Sequence, residues 1–208
     1  MNDTKQKILD TAAELFAEDG YSATSLRRVI AKAGVNLAAV HYHFGTKQDL
    51  LDQIITQKIS SLNGRRIELL DQFEAEAAPE PLSIEKVVEA FLTPAVLMAP
   101  GSGFVRLMAR LHAEKSAMEV ILRNFQPLFE RYTSALRRAL PGMSEVEIAW
   151  KVHFMLGSMS HTLLVTPWLS PEAAAEPARV IVKRLVTFVT SGFLAPVAVE
   201  NIRVKAYP

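Results

Sequence analysis

Apolar positions recur along nearly the whole chain at helical rather than strand spacing. Ile8, Leu9, Ala12, Leu15 and Phe16 form an i, i+1, i+4, i+7, i+8 stripe. It predicts an amphipathic helix that ends at Gly20, a residue suited to the left-handed position after a helix. Either Thr24 or Ser25 can cap the next helix, which would bury Leu26, Val29, Ile30 and Ala33. Gly34 makes a tight turn, and the chain restarts at Asn36. Thr46 with Asp49 three residues on reads as a capping box, opening a long helix that carries Leu50, Leu51, Ile54 and Ile55. That helix should reach the mid-seventies, where the prolines of AEAAPEP at 75–81 stop it. Further helical runs are expected at 83–93, 103–114, 116–140, 145–166 and 177–194, with Pro127 kinking the third and Ser144–Glu147 forming a second capping box. No alternating strand pattern of useful length, internal repeat or low-complexity tract is present. The expected fold is all-α, with a three-helix N-terminal module over 1–52 and a larger helical domain over 53–208.

Within the module, Ser25–Lys47 has the layout of a helix-turn-helix: two short helices joined at Gly34 behind an amphipathic first helix. The second short helix, roughly Asn36–Phe44, would enter the DNA major groove. Val40 and Phe44, one turn apart, face inward. Asn36, Ala38, Ala39, His41, Tyr42 and His43 cover the other sides, and Leu37 fits either an inner edge or the outer face. Ala38 and Ala39 permit close approach and could meet a thymine methyl group, while Asn36, Tyr42 and the histidines can hydrogen-bond base edges or phosphates. The start of the preceding helix, with Thr24, Ser25 and free backbone N–H groups, offers a phosphate site.

Composition changes this picture in one respect. With 208 residues, a formal net charge of +1 and half its residues hydrophobic, the chain is not globally basic, so any affinity for DNA must come from where charge sits. Between Ser25 and Lys47 lie four basic residues (Arg27, Arg28, Lys32 and Lys47) and no acidic one, while Asp3, Asp10, Glu14, Glu18 and Asp19 all precede that segment. The absence of cysteine excludes disulfides, thiolate zinc sites and cysteine nucleophiles. No secretory signal or membrane-spanning stretch is legible, and the expected location is the cytoplasm. His41 and His43 point in different directions on a helix, and His153 and His161 are about two turns apart, so no metal site is read. No G-x-S-x-G elbow or Gly-rich phosphate loop is present, and GSG at 101–103 lacks the strand of a dinucleotide fold. Neither an enzyme nor a cofactor is expected.

The segment ILDTAAELFAEDGYSATSLRRVIAKAGVNLAAVHYHFGTKQDLL resembles the DNA-binding module of the tetracycline-repressor (TetR) family. The resemblance lies in the first-helix pattern, the aromatic after Gly20, the Thr-Ser helix start, the A-x-x-x-G turn, and the tyrosine–histidine–phenylalanine run before a glycine and a lysine. It implies DNA contacts at Thr24, Ser25, Arg27, Asn36, Ala38, Ala39, His41, Tyr42 and Lys47, extending to Leu37 and His43. The family often has tyrosine where this chain has His41, so either His41 or Tyr42 would grip the phosphate.

The resemblance further implies that the remaining helices form a ligand pocket, and that the last two long helices pair in a homodimer on a double-stranded operator. Small residues Gly157, Ser158 and Ser160 among Met155, Leu156 and Met159 would allow close helix approach, as would the apolar face of Val180, Ile181, Leu185, Phe188 and Val189. The pieces VNLAAVHYHFG, GFVRLMARL and WKVHFMLGSMS resemble the fatty-acid-responsive regulators of the PsrA type. Phe104, Leu107, Met108, Leu111, Phe125, Phe129, Met155, Met159 and Trp168 are candidates to line an apolar cavity, with Arg106, Arg110 or His161 holding a carboxylate or hydroxyl. The expected function is a transcriptional repressor controlled by a small hydrophobic ligand such as a fatty acid or acyl-CoA. The alternatives are a small-molecule-binding helical protein that no longer reads DNA, and a DNA-binding regulator with no inducer.

Overall fold

The computed structural model describes residues 2–98, 103–112, 114–165 and 170–196. The N-terminal helices are α1 (Asn2–Asp19), α2 (Leu26–Ala33) and α3 (Leu37–Phe44), followed by the long α4 (Lys47–Ala77). The body adds α5 (Ile84–Met98), α6 (Gly103–His112), α7 (Lys115–Ala139), α8 (Glu145–Val165), a single turn α9 (Pro171–Ala174) and α10 (Ala178–Leu194). Among the described residues there is no strand.

Local signals set most boundaries. Ser25 caps α2 by accepting the Arg28 N–H at 3.2 Å, and Asn36 caps α3 by accepting the Ala39 N–H at 2.8 Å. Gly34 sits at φ 62°, ψ 39°, the left-handed conformation that lets α2 stop and α3 start two residues later. Thr46 and Asp49 form the full reciprocal capping box. Ser144 accepts the Glu147 N–H at 3.2 Å at the start of α8. At the other end of the body, the Lys151 ammonium donates to the carbonyls of Gly192 and Ala195, covering the C-terminus of α10.

One expectation about helix limits is corrected. The run read as 83–93 continues through Pro94 to Met98. Pro94 removes the donor for the Ala90 carbonyl, but its neighbours bury Leu92, Ala95 and Val96, so packing outweighs the lost bond. The single turn α9, capped by Ser170 with Pro171 in its first position, was not expected. The helix bearing Pro127 runs unbroken from Lys115 to Ala139.

The apolar residues form two cores. One gathers Ile8, Ala12, Leu15, Phe16, Val29, Val40, Phe44, Leu50, Leu51, Ile54 and Ile55 with Leu107, Leu111, Ala117, Val120 and Ile121. The three-helix module therefore packs directly on α6 and the start of α7. The second core joins Leu70 with residues of α5, α7, α8 and α10, including Phe91, Tyr132, Val186 and Phe193. Helix α4 belongs to both and runs unbroken across residues 52 and 53. At 1.5 Å per residue its 31 residues span about 46 Å. Ion pairs tie α4 to α7 along its length, from Asp52 with Arg123 to Asp71 and Glu74 with Arg131.

Candidate functional site

Helix α3 presents an outer face suited to a groove. Tyr42 is 77% exposed and Leu37 53%, Ala38 and His41 are exposed, and Ala39 and His43 are partly covered. Val40 and Phe44 are buried, which fixes the rotation of the helix. Leu37, open to either face by sequence, points outward. The His41 Nδ1 lies 3.0 Å from the Gly45 carbonyl, and the His43 ring lies between those of Tyr42 and Phe44. Asn36 uses its side-chain oxygen on the Ala39 N–H.

Thr24 differs from its neighbours. It is 1% exposed, and its hydroxyl donates to the Gly20 carbonyl at 2.8 Å, so it closes the α1–α2 turn while Ser25 alone caps α2 at the surface.

The cations are distributed differently from their order in sequence. Arg28 pairs with Asp19 at 2.8 Å, and Lys32 lies 3.1 Å from Glu14 and 3.8 Å from Glu18. The acids of α1 thus fold back onto α2 and neutralise two of the four positive charges. Arg27 is exposed and has no ion pair among the described residues. Lys47, the first residue of α4, places its ammonium 4.2 Å from the centre of the Tyr21 ring. Burial lowers its pKa, and the nearby Glu114 carboxylate only partly opposes this. Two cations went unnoticed in the sequence because they lie in α1. Lys5 is 5.9 Å from the Phe44 ring centre, and the Lys7 ammonium lies against the Gly34 turn.

Glu114, between α6 and α7, joins the body to this module. Its Oε1 accepts the Tyr21 N–H at 2.7 Å and its Oε2 the Ser22 N–H at 2.6 Å. The Ser22 and Ser116 hydroxyls are 3.1 Å apart, and Arg110 donates to the Glu18 carbonyl at 3.5 Å. Gly20, at φ 97°, makes this approach possible, because a Cβ there would stand 2.7 Å from Oε1. Burial opposes ionisation of Glu114. The Ser22 hydroxyl, the two N–H groups and Lys47 outweigh it, holding the carboxyl below the ordinary carboxylate range.

Behind this junction lies a cavity of about 1070 Å³. It runs from α1, at Asp10, Ala13, Glu14, Ala17 and Glu18, to Phe91, Phe129, Leu156, Met159 and Leu163 in the body. Of the residues expected to line it, Leu107, Met108, Phe125, Phe129 and Met159 do. Four do not. Leu111 packs in the first core, Met155 in the second, Arg110 lies at the surface against α1, and His161 is exposed on α8. The side chains of Phe104 and Arg106, and Trp168 as a whole, lie outside the described residues.

Sequence reasoning passed over Arg66, the largest fully buried side chain among the described residues. Its Nε donates to the Phe91 carbonyl at 2.9 Å, one Nη to Asn63 Oδ1 at 3.2 Å and the other to the Met159 sulfur at 3.5 Å, with the Phe91 ring 4.0 Å away. Burial lowers its pKa to about 10. His153 also lines the cavity. Among the described residues no cluster of His, Cys, Asp or Glu could hold a metal ion, and no helix is long and apolar enough to cross a membrane.

A short capped helix behind a left-handed turn, on a module wedged against a helical body, has the layout of a helix-turn-helix protein. The comparisons with known proteins make the class specific. Residues 8–54 match the model of bacterial regulatory proteins of the tetR family, and residues 89–192 match the tetracyclin repressor-like C-terminal domain. The chain belongs to the TetR family of bacterial transcriptional regulators. It is 38% identical over 82 residues to the HTH-type transcriptional regulator AcrR of Shigella flexneri, which covers 39% of this chain and 36% of that protein. The curated relatives are thus matched over roughly a third of their length. A TetR-family regulator from Syntrophomonas wolfei superposes with a TM-score of 0.64 at 18% identity, over 95% of this chain and 98% of that one. FadR of Bacillus subtilis, solved in complex with stearoyl-CoA, gives 0.64 at 15% identity, over 90% and 98%. At such identities these two structures establish the shared fold.

Proposed function

We propose that this protein is a repressor that binds its operator as a homodimer and releases it when a long apolar ligand fills the cavity. The cavity carries this reading, because α1 of the DNA-binding module forms part of its wall. A ligand there touches the module itself, and the Glu114 latch joins the same body to the turn ahead of α2. On this reading Tyr42, His41, Ala38, Ala39 and Leu37 meet the groove, and Ser25, Arg27 and Lys47 meet the backbone, with Asn36 and His43 shaping the ends of the helix. The DNA-reading unit is taken as residues 1–52 and the effector and dimer unit as 53–208.

The outward faces of α8 and α10 support the dimer. Val146, Trp150 and Phe154 are exposed along α8, and Phe188 and Leu194 along α10. Trp150 and Phe154 stack 5.8 Å apart on that open face. A monomer rarely leaves so many large apolar groups together in water. A dimer also supplies the two recognition helices, about 34 Å apart, that successive major grooves require.

The likeness to FadR and the apolar walls favour an acyl chain as effector. Turning a two-state equilibrium from 1:99 to 99:1 takes about 5.5 kcal/mol of preference for one state. Each buried methylene contributes about 0.8 kcal/mol, so roughly seven methylenes buried in only one state suffice. The test is anisotropy of labelled DNA from the region upstream of the gene, titrated with protein at several salt concentrations, with and without hexadecanoic acid or hexadecanoyl-CoA. Salt-dependent binding that either compound weakens is expected. Salt-dependent binding unmoved by both rules out the acyl effector, and no binding at all rules out the repressor.

A further inference from the structure

A lone buried arginine is an expensive feature in an apolar cavity. Arg66 is 1% exposed and lines the wall, yet no carboxylate pairs with it among the described residues. Of its five N–H groups three are placed, and one of those rests on a thioether sulfur, a weak acceptor. The Phe91 ring 4.0 Å away and neutral acceptors are all that meet its charge, so burial remains costly and an apolar residue of similar size would relieve that cost. Packing alone does not account for an arginine here.

We propose that Arg66 is the anchor for the carboxylate of a long-chain monocarboxylic acid, which lies in the cavity with its acid group inward. This rests on the acyl-effector reading above and narrows it. The charges along the cavity favour that orientation. At the α1 end stand Asp10, Glu14 and Glu18, three carboxylates against the two ammonium groups of Lys58 and Lys32 that they already hold, so that end offers an anion no spare cation among the described residues. Arg66 lies eight residues further along α4 than Lys58, about 12 Å at 1.5 Å per residue. A carboxylate on Arg66 therefore sends its hydrocarbon chain back toward α1, where added volume presses on the DNA-binding module. A coenzyme A thioester has no free carboxylate, and its multiply charged head is too polar for this site. The effector class is the free acid.

The experiment compares hexadecanoic acid, hexadecan-1-ol and hexadecanoyl-CoA, each measured by equilibrium dialysis against the full-length protein, its R66M variant and its R66K variant. Charge-assisted hydrogen bonding should give the wild type about a ten- to hundredfold preference for the acid over the alcohol. R66M should lose that preference while still binding the alcohol, and R66K should keep part of it. If the wild type binds acid and alcohol within about threefold, or prefers the thioester, the anchor is wrong while the apolar cavity still stands. If none of the three binds, the effector reading fails as well. Should circular dichroism show that R66M is unfolded, the acid–alcohol comparison in the wild type and R66K still decides.

Discussion

Replacing Glu114 removes the carboxylate tie between the body and the α1–α2 turn without touching either α3 or the cavity wall. In the native chain its two carboxylate oxygens each accept a backbone N–H, from Tyr21 and Ser22, at 2.7 and 2.6 Å. A buried hydrogen bond to a charged group contributes about 1.5–3 kcal/mol. Both bonds here are partly open to water, so about 1 kcal/mol each is the appropriate figure, and E114A should lose about 2 kcal/mol. For a protein of this size that corresponds to a fall in Tm of about 4–8 °C. E114Q should lose nearly as much, because its amide nitrogen turns a donor toward one of the two N–H groups.

The pH dependence separates this from generic destabilisation. The carboxyl is held below its unfolded pKa, so its contribution is complete above the ordinary carboxylate value of about 4.3 and disappears as pH falls through the lower folded value. E114Q should therefore differ from the wild type at neutral pH and converge with it in acid. The decisive assay is operator release: with the latch gone, saturating hexadecanoic acid should displace far less E114A from DNA than wild type. Unchanged thermal stability together with a full ligand response would refute the role given to Glu114.

Other substitutions address the two interfaces. Arg27 is exposed and has no ion pair among the described residues, so R27A should reduce the salt slope of operator binding by about 0.9 per protomer, whereas R28A should change it less. Y42A should weaken operator binding without altering the fold, since the ring is exposed, and circular dichroism can verify this. A single aromatic anchor at a dimer centre contributes about 2–4 kcal/mol, so W150A or F188A should loosen the dimer by about thirtyfold or more in sedimentation equilibrium. A dimer constant unchanged in both variants would exclude pairing through α8 and α10.

The helices were legible because their apolar spacing and caps agree, as at Thr46–Asp49 and Asn36. The run expected to end at 93 goes on through Pro94 because a local rule about helix interiors gives way to the burial of Leu92, Ala95 and Val96 around it. Charge was the least legible quantity. The linear order separates the acids of α1 from the bases of α2, but folding lays them side by side and cancels Arg28 and Lys32. Thr24 and Ser25 look equivalent on paper; only the α1–α2 turn decides which hydroxyl is buried.

The cavity was half legible. Helical spacing identifies Leu107, Leu111, Met155 and Met159 alike as inward-facing, and it cannot tell a core position from a cavity wall. Arg66 carried a readable signal, because it falls on the buried stripe Ile55, Ile59 and Leu70 of α4, where an apolar residue was due.

Reciprocity between the two sites tests the central claim most directly. Coupled sites must weaken each other by the same factor. The affinity for hexadecanoic acid should be measured on the free protein and on protein saturated with its operator. The operator affinity should then be measured with and without saturating acid. Ligand-controlled DNA binding requires both ratios to be equal and well above one. Equal acid affinity in the free and operator-bound protein would contradict it.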